Sequence, residues 1–360
     1  MDLSGLNLKP HKLFYHLDEV TKWRDGKDFA PIFIEFSPTD VCNQRCHFCY
    51  TDYLGHKKLM IERDPLLRIF REMGEFGVKS VMVQGTGEPL LNSAVPDAVV
   101  VGKKAGLDIA LCTNGVLLSE EVLEKAMPCL SWLRVSGIEC DGDLYVKTHV
   151  CPEGHFKRVI DGLRTAVRIR NRDHLETVIA VHFLPFPYNA SRVLDTVKMV
   201  KEMGIDYILI KSAEIGLHTP NHVWPRDTHE QYRGLLEECA RLETNEFRVS
   251  IRWDQFEQAK CEGAFEKGYK SCYGMLFEAM VDADAKVYPC LNHWRDPEYG
   301  LGDLREQSFA DLWQSQRRRE VMARHWSTYD LQNCHFGCKH HHINKTLWEL
   351  AHPPMHVNFL

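Results

Sequence analysis

From Pro31 to Trp253 short runs of β-branched and other apolar residues alternate with longer stretches whose apolar positions return every three or four residues. The runs Ile32–Phe36, Ser80–Val83, Asp108–Leu111, Trp132–Val135, Val178–Phe183 and Tyr207–Ile210 read as strands. Between them Pro65–Phe76, Ala94–Ala105, Ser119–Met127, Phe156–Arg170 and Ser191–Met203 read as amphipathic helices, and Thr228–Leu242 follows the last strand. Leu66, Ile69, Phe70 and Met73 share one helical face, and Ser119 is a plausible N-cap with Glu120 and Glu121 in the first turn. Strands alternating with helices predict a parallel sheet with helical crossovers. Six units are two short of an eight-fold barrel, so the expected class is α/β, an open, partial (βα)6 TIM-like barrel. In such barrels chemistry sits at the C-terminal ends of the strands.

After about Lys260 this rhythm stops, and cysteine, histidine and tryptophan become frequent. Phe277–Met280 and Lys286–Tyr288, joined by Asp282-Ala283-Asp284-Ala285, read as a hairpin, and Phe309–Arg324 reads as a helix. The expected division is an N-terminal extension over 1–30, a barrel over 31–255, and a small cysteine-containing domain over 256–360.

Of the 360 residues, 44% are hydrophobic and 26% charged, enough apolar material for a substantial core. A net charge of −6, with only Arg317-Arg318-Arg319 as a dense basic run, argues against nucleic acid as the main partner. No apolar run reaches the roughly 18 to 20 residues that span a bilayer, and Met1-Asp2-Leu3-Ser4-Gly5 lacks a basic region leading into an apolar one. The expectation is a cytoplasmic chain in a reducing compartment with no membrane partner. There an odd count of 13 cysteines points to metal ligands and buried thiols rather than disulfides.

Directly after the first strand candidate comes Cys42-Asn43-Gln44-Arg45-Cys46-His47-Phe48-Cys49, a C-x3-C-x2-C spacing. Three thiolates on one loop can hold three irons of a cubane and leave the fourth open for a ligand. A zinc site completed by His47 or a distant residue, or free thiols, is the alternative. The segment resembles the signature of the radical S-adenosylmethionine (SAM) superfamily, in which an aromatic residue such as Phe48 precedes the third cysteine. Gln84-Gly85-Thr86-Gly87-Glu88-Pro89, after the second strand, is similar to that family's Gly-Gly-Glu segment.

The resemblance implies a [4Fe-4S] cluster on Cys42, Cys46 and Cys49, with SAM held by Phe48, Gly85, Thr86, Gly87, Glu88, Asn114 and Ser136. His182 and Lys211 match less constrained positions, and lining the pocket without a role is the equal alternative for both. It further implies reductive cleavage of SAM to methionine and a 5′-deoxyadenosyl radical that takes a hydrogen atom from a C–H bond, with flavodoxin or ferredoxin as reductant.

Cys272, Cys290, Cys334 and Cys338, together with Val287-Tyr288-Pro289-Cys290 and Gly302-Asp303-Leu304, resemble the SPASM and twitch domains that follow such barrels. That resemblance implies a second, auxiliary [4Fe-4S] cluster on these four thiols, with zinc the competing occupant and Cys261 a substitute ligand. Ala285 stands where the family has glycine, and the cysteine run for a further cluster is absent. The run His340-His341-His342 reads as polar surface or part of a substrate or anion pocket. Cys112, Cys129, Cys151 and Cys239 read as ordinary thiols.

An auxiliary cluster accepts the electron of a substrate radical, which favours oxidation of a small-molecule substrate: a sugar, an aminocyclitol or a nucleotide sugar. The alternatives are a peptide-modifying enzyme, against which only about 30 residues precede the first strand; an epimerase, with Cys140 after the fourth strand returning a hydrogen atom as the catalytic thiol; and a non-catalytic iron-sulfur or zinc protein.

Overall fold

A computed structural model describes residue 3 and residues 11–213, 228–260, 267–334 and 338–358. Seven parallel strands follow one another: β1 Phe33–Phe36, β2 Ser80–Val83, β3 Asp108–Thr113, β4 Leu130–Val135, β5 Val178–Phe183, β6 Tyr207–Ile210 and β7 Arg248–Ile251. Three further strands, β8 Glu278–Val281, β9 Lys286–Tyr288 and β10 Gly302–Asp303, complete one sheet in the order β10-β9-β8-β1-β2-β3-β4-β5-β6-β7. This is the partial barrel, one parallel strand longer than the six-unit reading. β7 escaped the pattern because Arg248 and Ser250 alternate with Val249 and Ile251 in a short run.

Alternation along each strand sends one set of side chains outward under the helices and the other into the barrel. On β1, Ile34 and Phe36 are fully buried in the large core beside Leu66, Ile69, Phe70 and Met73 of the helix Arg63–Phe76. Phe33 and Glu35 take the opposite face. Inside, Met82, Ala110 and Cys112 pack with Phe33 and Trp132 and close the barrel's lower end. Ser119 caps the helix Glu120–Ala126 as expected, its Oγ accepting from Val122 N at 3.3 Å.

The stretch beyond the barrel is tied into the same sheet. β8 pairs in parallel with β1, from Phe33 opposite Glu278 to Phe36 opposite Val281, and turns back into β9. The turn holds Ala285 at φ +63, the left-handed region, which explains why glycine suits this position and costs a side chain about 1–2 kcal/mol. Two helix readings need correction. Phe309–Arg324 is two helices, Phe309–Trp313 and Gln316–Thr328, because Ser315 caps the second by accepting from Arg318 N at 3.1 Å. Thr228–Leu242 breaks at Tyr232, where φ is −112, into Thr228–Gln231 and Arg233–Ala240. A helix Gly142–His149, capped by Asp141, follows β4, and another, His340–Ala351, closes the chain. His340 and His341 are therefore buried on a helix face, not a polar surface. Among the described residues no helix is long and apolar enough to cross a membrane.

The barrel and the C-terminal hairpin are locked by Arg295. Its guanidinium donates to Asp282 Oδ2 at 2.5 Å and to Asp40 Oδ2 at 3.1 Å, and both carboxylates are fully buried. Arg295→Met leaves two buried charges unpaired and is expected to lower the unfolding free energy by about 3–5 kcal/mol in denaturant titration. A loss under about 1 kcal/mol would show that the lock is dispensable.

Candidate active site

The C-terminal ends of the parallel strands surround a cavity of about 350 Å³, at the lower end of the roughly 300–1,000 Å³ typical of small-molecule sites. The loop after β1 brings Cys42, Cys46 and Cys49 to its wall. Burial raises the Cys42 thiol to about 11 and the Cys46 thiol well above its usual value, and the neighbouring thiols add to both shifts. A cluster of buried thiols that repel one another as thiolates is a donor set that iron would relieve. Cys151, read as an ordinary thiol, lies near enough to Cys46 to join this repulsion. Among the described residues no three His, Cys, Asp or Glu side chains converge closely enough for a single metal ion. A four-iron cubane is a larger object and needs its ligands further apart.

The glycine segment after β2 lies directly on the cysteine loop. Glu88 N donates to Val41 O at 2.8 Å, and a Cβ on Gly87 would stand 2.3 Å from that same carbonyl oxygen. Thr86 is turned away from the cavity, its hydroxyl 3.1 Å from Ser37 Oγ, so it anchors the segment to the end of β1 and lines nothing. Gly85, Gly87, Glu88, Asn114, Ser136, His182, Lys211 and Phe48 all line the cavity. Glu88 is buried, and burial raises its pKa. Its carboxylate accepts from Thr113 Oγ1 at 2.6 Å, Asn114 N at 2.7 Å and Leu90 N at 3.1 Å. A carboxylate offers about four acceptor positions, so one remains for a ligand's ammonium group. Asn114 Nδ2 donates to Asn43 Oδ1 at 2.6 Å and Gln44 Nε2 to Tyr145 Oη at 2.9 Å, fixing the cysteine loop to β3 and to the helix after β4. Phe48 stacks on Phe186 and meets His149 edge-on.

Cys140 is not on the cavity wall; its Sγ lies 3.6 Å from Arg192 Nη2. Nearby Glu139 is a buried acid raised to about 7 by burial, against hydrogen bonds from Asn189 and Thr148 that lower it.

Cys272, Cys290, Cys334 and Cys338 form the second thiol group. Burial raises Cys290 well above its usual value, Cys334 to about 11 and Cys338 to about 12, and each is raised further by other members of the four. Cys272 is the exception: burial opposes its thiolate, but His340 and Asn344 outweigh it and lower the pKa. Asn344 Nδ2 donates to Cys272 Sγ at 3.2 Å, and His340 Nδ1 lies 3.9 Å from it. Here the histidine run supports a thiol. Cys261 lies outside the described residues.

Leu291 and Trp294, just after Cys290, and Lys339, just after Cys338, line the first cavity. Lys339 Nζ reaches Glu35 Oε1 at 2.6 Å and Glu278 Oε2 at 3.0 Å, and His340 Nε2 meets Glu278 Oε2 at 2.8 Å. A buried chain of charges thus runs from the cavity to Cys272. Five buried polar atoms without a hydrogen-bond partner belong to cavity-lining residues: Glu35 Oε2, Arg134 Nε, His182 Nε2, Gln255 Oε1 and Trp294 Nε1. Buried unpaired groups are rare, and a polar ligand satisfies them. Sequence reasoning missed Glu35, Arg134, Gln255, Trp294 and Lys339. The available signal was a charge inside an apolar strand, as in Phe33-Ile34-Glu35-Phe36 and Leu133-Arg134-Val135.

A parallel partial barrel carries a three-thiol loop at its mouth and a second thiol group beside it, donor sets of the kind that hold iron-sulfur clusters. Residues 36–186 match the radical SAM superfamily model and residues 272–339 the SPASM iron-sulfur cluster-binding domain. Over residues 36–186 the chain thus carries a radical SAM domain, and over residues 272–339 a SPASM domain. Its cofactors are therefore a [4Fe-4S] cluster and SAM in the barrel and auxiliary iron-sulfur in the SPASM domain.

It is 28% identical over 190 residues to a GTP 3′,8-cyclase of Clostridium perfringens, a match covering 51% of this chain and 56% of that one, so little more than half of that relative is spanned. It is 25% identical over 304 residues to an AdoMet-dependent heme synthase of Methanosarcina barkeri, covering 79% and 83%. Streptococcus suis SuiB bound to SAM has the same fold, with a TM-score of 0.65 at 15% identity over 93% of this chain and 80% of that one. SuiB has also been solved with its precursor peptide SuiA, at a TM-score of 0.63 and 14% identity, covering 88% and 72%.

Gly87→Ala is expected to push the cysteine loop away, costing roughly 1–3 kcal/mol and lowering the iron retained after anaerobic reconstitution. Gly154→Ala, where a Cβ meets nothing within 4 Å, serves as control. Equal iron content and stability in the two variants would contradict the packing argument.

Proposed function

We propose that this chain oxidises a C–H bond of a sugar, aminocyclitol or nucleotide-sugar substrate, and that the substrate's remaining electron leaves through an auxiliary cluster on Cys272, Cys290, Cys334 and Cys338. The observation that carries this reading is shared walls: residues adjoining Cys290 and Cys338 line the cavity that also holds Cys42, Cys46 and Cys49. When bound, the cluster and SAM supply a 5′-deoxyadenosyl radical for hydrogen-atom abstraction.

The chain's own residues then do the rest. Glu88 and Asn114 hold the SAM amino acid end, Ser136 and the backbone at Gly85 and Gly87 bound its pocket, and Phe48 with Leu184 keeps water from it. Glu35 Oε2 and Gln255 Oε1 accept, and Trp294 Nε1 donates, so a substrate with several hydroxyls satisfies them together. For alcohol to ketone, the carbon would give up a hydrogen atom and then one electron, and Glu35 Oε2 would accept the hydroxyl proton; a cluster held by Cys272, Cys290, Cys334 and Cys338 would supply the acceptor for that electron. Flavodoxin or ferredoxin supplies the electron for SAM cleavage.

A peptide substrate is the second reading, favoured by the likeness to SuiB, which binds a precursor peptide. Epimerisation is less favoured, since Cys140 lies off the cavity wall.

Reconstituted wild type is expected to carry about eight irons, and a Cys290→Ala/Cys334→Ala/Cys338→Ala variant about four. With a panel of nucleotide sugars and aminocyclitols, wild type should release 5′-deoxyadenosine and ketone in equal amounts, the variant deoxyadenosine without ketone. Ketone formed equally by the variant would overturn the electron's route. A peptide consumed while every sugar stays intact would replace the substrate class.

A further inference from the structure

The cavity has two tiers. β4 presents Trp132, Arg134 and Ser136 on its inner face, and same-face neighbours on a strand stand roughly 7 Å apart. The proposed SAM contacts Ser136 and Asn114 form the upper tier at the strand ends. One pleat deeper lie Arg134 and its register partner Cys112, with Met82 beside them, and Trp132 below.

Arg134 holds an unusual set of partners. Its Nη2 lies 2.9 Å from Cys112 Sγ and 3.8 Å from Met82 Sδ, and its guanidinium stands 4.7 Å over the Trp132 ring. The Tyr207 hydroxyl also hydrogen-bonds this side chain, so a phenol, two sulfurs and a ring face surround the positive charge and none of them is a carboxylate. Among the described residues no carboxylate forms an ion pair with it, and its buried Nε has no hydrogen-bond partner. Of the cavity's two acids, Glu35 pairs through Oε1 with Lys339 at 2.6 Å, and Glu88 accepts from its three donors.

Around Arg134 the charge is positive. His182, 6% exposed, has its pKa held well below the usual value by burial first, then by Arg134 and Lys211. Its Nε2 has no partner. A guanidinium held among sulfurs, a phenol and a ring beside a neutral imidazole is costly unless a ligand compensates it.

We infer that this lower tier is the substrate-recognition site and that it takes an oxyanion, a carboxylate or a phosphate, on the Arg134 guanidinium beside Lys211 and His182. A planar guanidinium with a free Nε suits two oxygens of one anionic group. Glu35, across the tier on β1, then receives a hydroxyl or amine from the same molecule. The inference rests on reading this cavity as the substrate's site and narrows the substrate to one bearing an anionic group, such as a sugar phosphate or a uronic or amino acid.

The test uses the full chain with both clusters reconstituted and SAM present, in equilibrium dialysis against radiolabelled inorganic phosphate and, separately, acetate. One saturable equivalent of at least one anion is expected. Phosphate bound and acetate ignored identifies a phosphate ester; the reverse identifies a carboxylate. Arg134→Gln should weaken binding at least tenfold, and Arg134→Lys, which keeps the charge but not the two-pronged geometry, should fall between it and the wild type. Met82→Glu, which sets a carboxylate against Arg134, should abolish it in a protein whose arginine is intact.

No saturable binding of either anion, or equal binding in Arg134→Gln and Met82→Glu, overturns the inference. Loss of SAM binding in Arg134→Gln also overturns it, because Arg134 would then belong to the cofactor. Anion binding in an enzyme that releases no 5′-deoxyadenosine would leave the anion site standing and remove the proposed function instead.

Discussion

Burial opposes the ionisation of Cys42 and Cys46, and the mouth of the barrel is built around that opposition. Burial and mutual repulsion raise Cys42 and Cys46, so the loop is at odds with itself until a cation joins it. The surrounding contacts hold the loop in place regardless. Asp40, fully buried, accepts from Leu59 N at 2.7 Å and Lys57 N at 3.0 Å as well as from Arg295. The backbone at Gly87 presses on Val41 from the other side. The cluster site is preorganised by neighbours that are not ligands, which is what a reactive centre needs.

The same logic extends to the second thiol group. Because β8 continues the barrel's sheet beyond β1, the hairpin leading to Cys290 starts from the barrel wall. Lys339, one residue after Cys338, then spans Glu35 of β1 and Glu278 of β8. In the proposed reaction an electron acceptor there would stand beside the substrate, and the separation of hydrogen abstraction from electron removal would be a matter of architecture.

The barrel was legible because its strands are apolar runs and its helices keep a single apolar face. Cys42, Cys46, Cys49 and Glu88 were legible because their spacing is local to one loop each. What sequence could not show was convergence. Arg134 and Glu35 sit in strands whose neighbours fix the assignment to core, and only the barrel's closure turns their side chains onto one cavity. Gln255, Trp294 and Lys339 reach that cavity from far along the chain. β7 was lost to its polar alternation, and the histidine run was misjudged because composition alone does not reveal that His340 faces Cys272 from a buried helix.

The central claim, that the loop of Cys42, Cys46 and Cys49 supports reductive cleavage of SAM, is tested most directly by 5′-deoxyadenosine release. Anaerobically reconstituted protein is mixed with SAM and dithionite, beside a Cys42→Ala/Cys46→Ala/Cys49→Ala variant. The account predicts deoxyadenosine and methionine in equal amounts from the wild type and none from the variant. No deoxyadenosine from a wild type with its full complement of iron would contradict it.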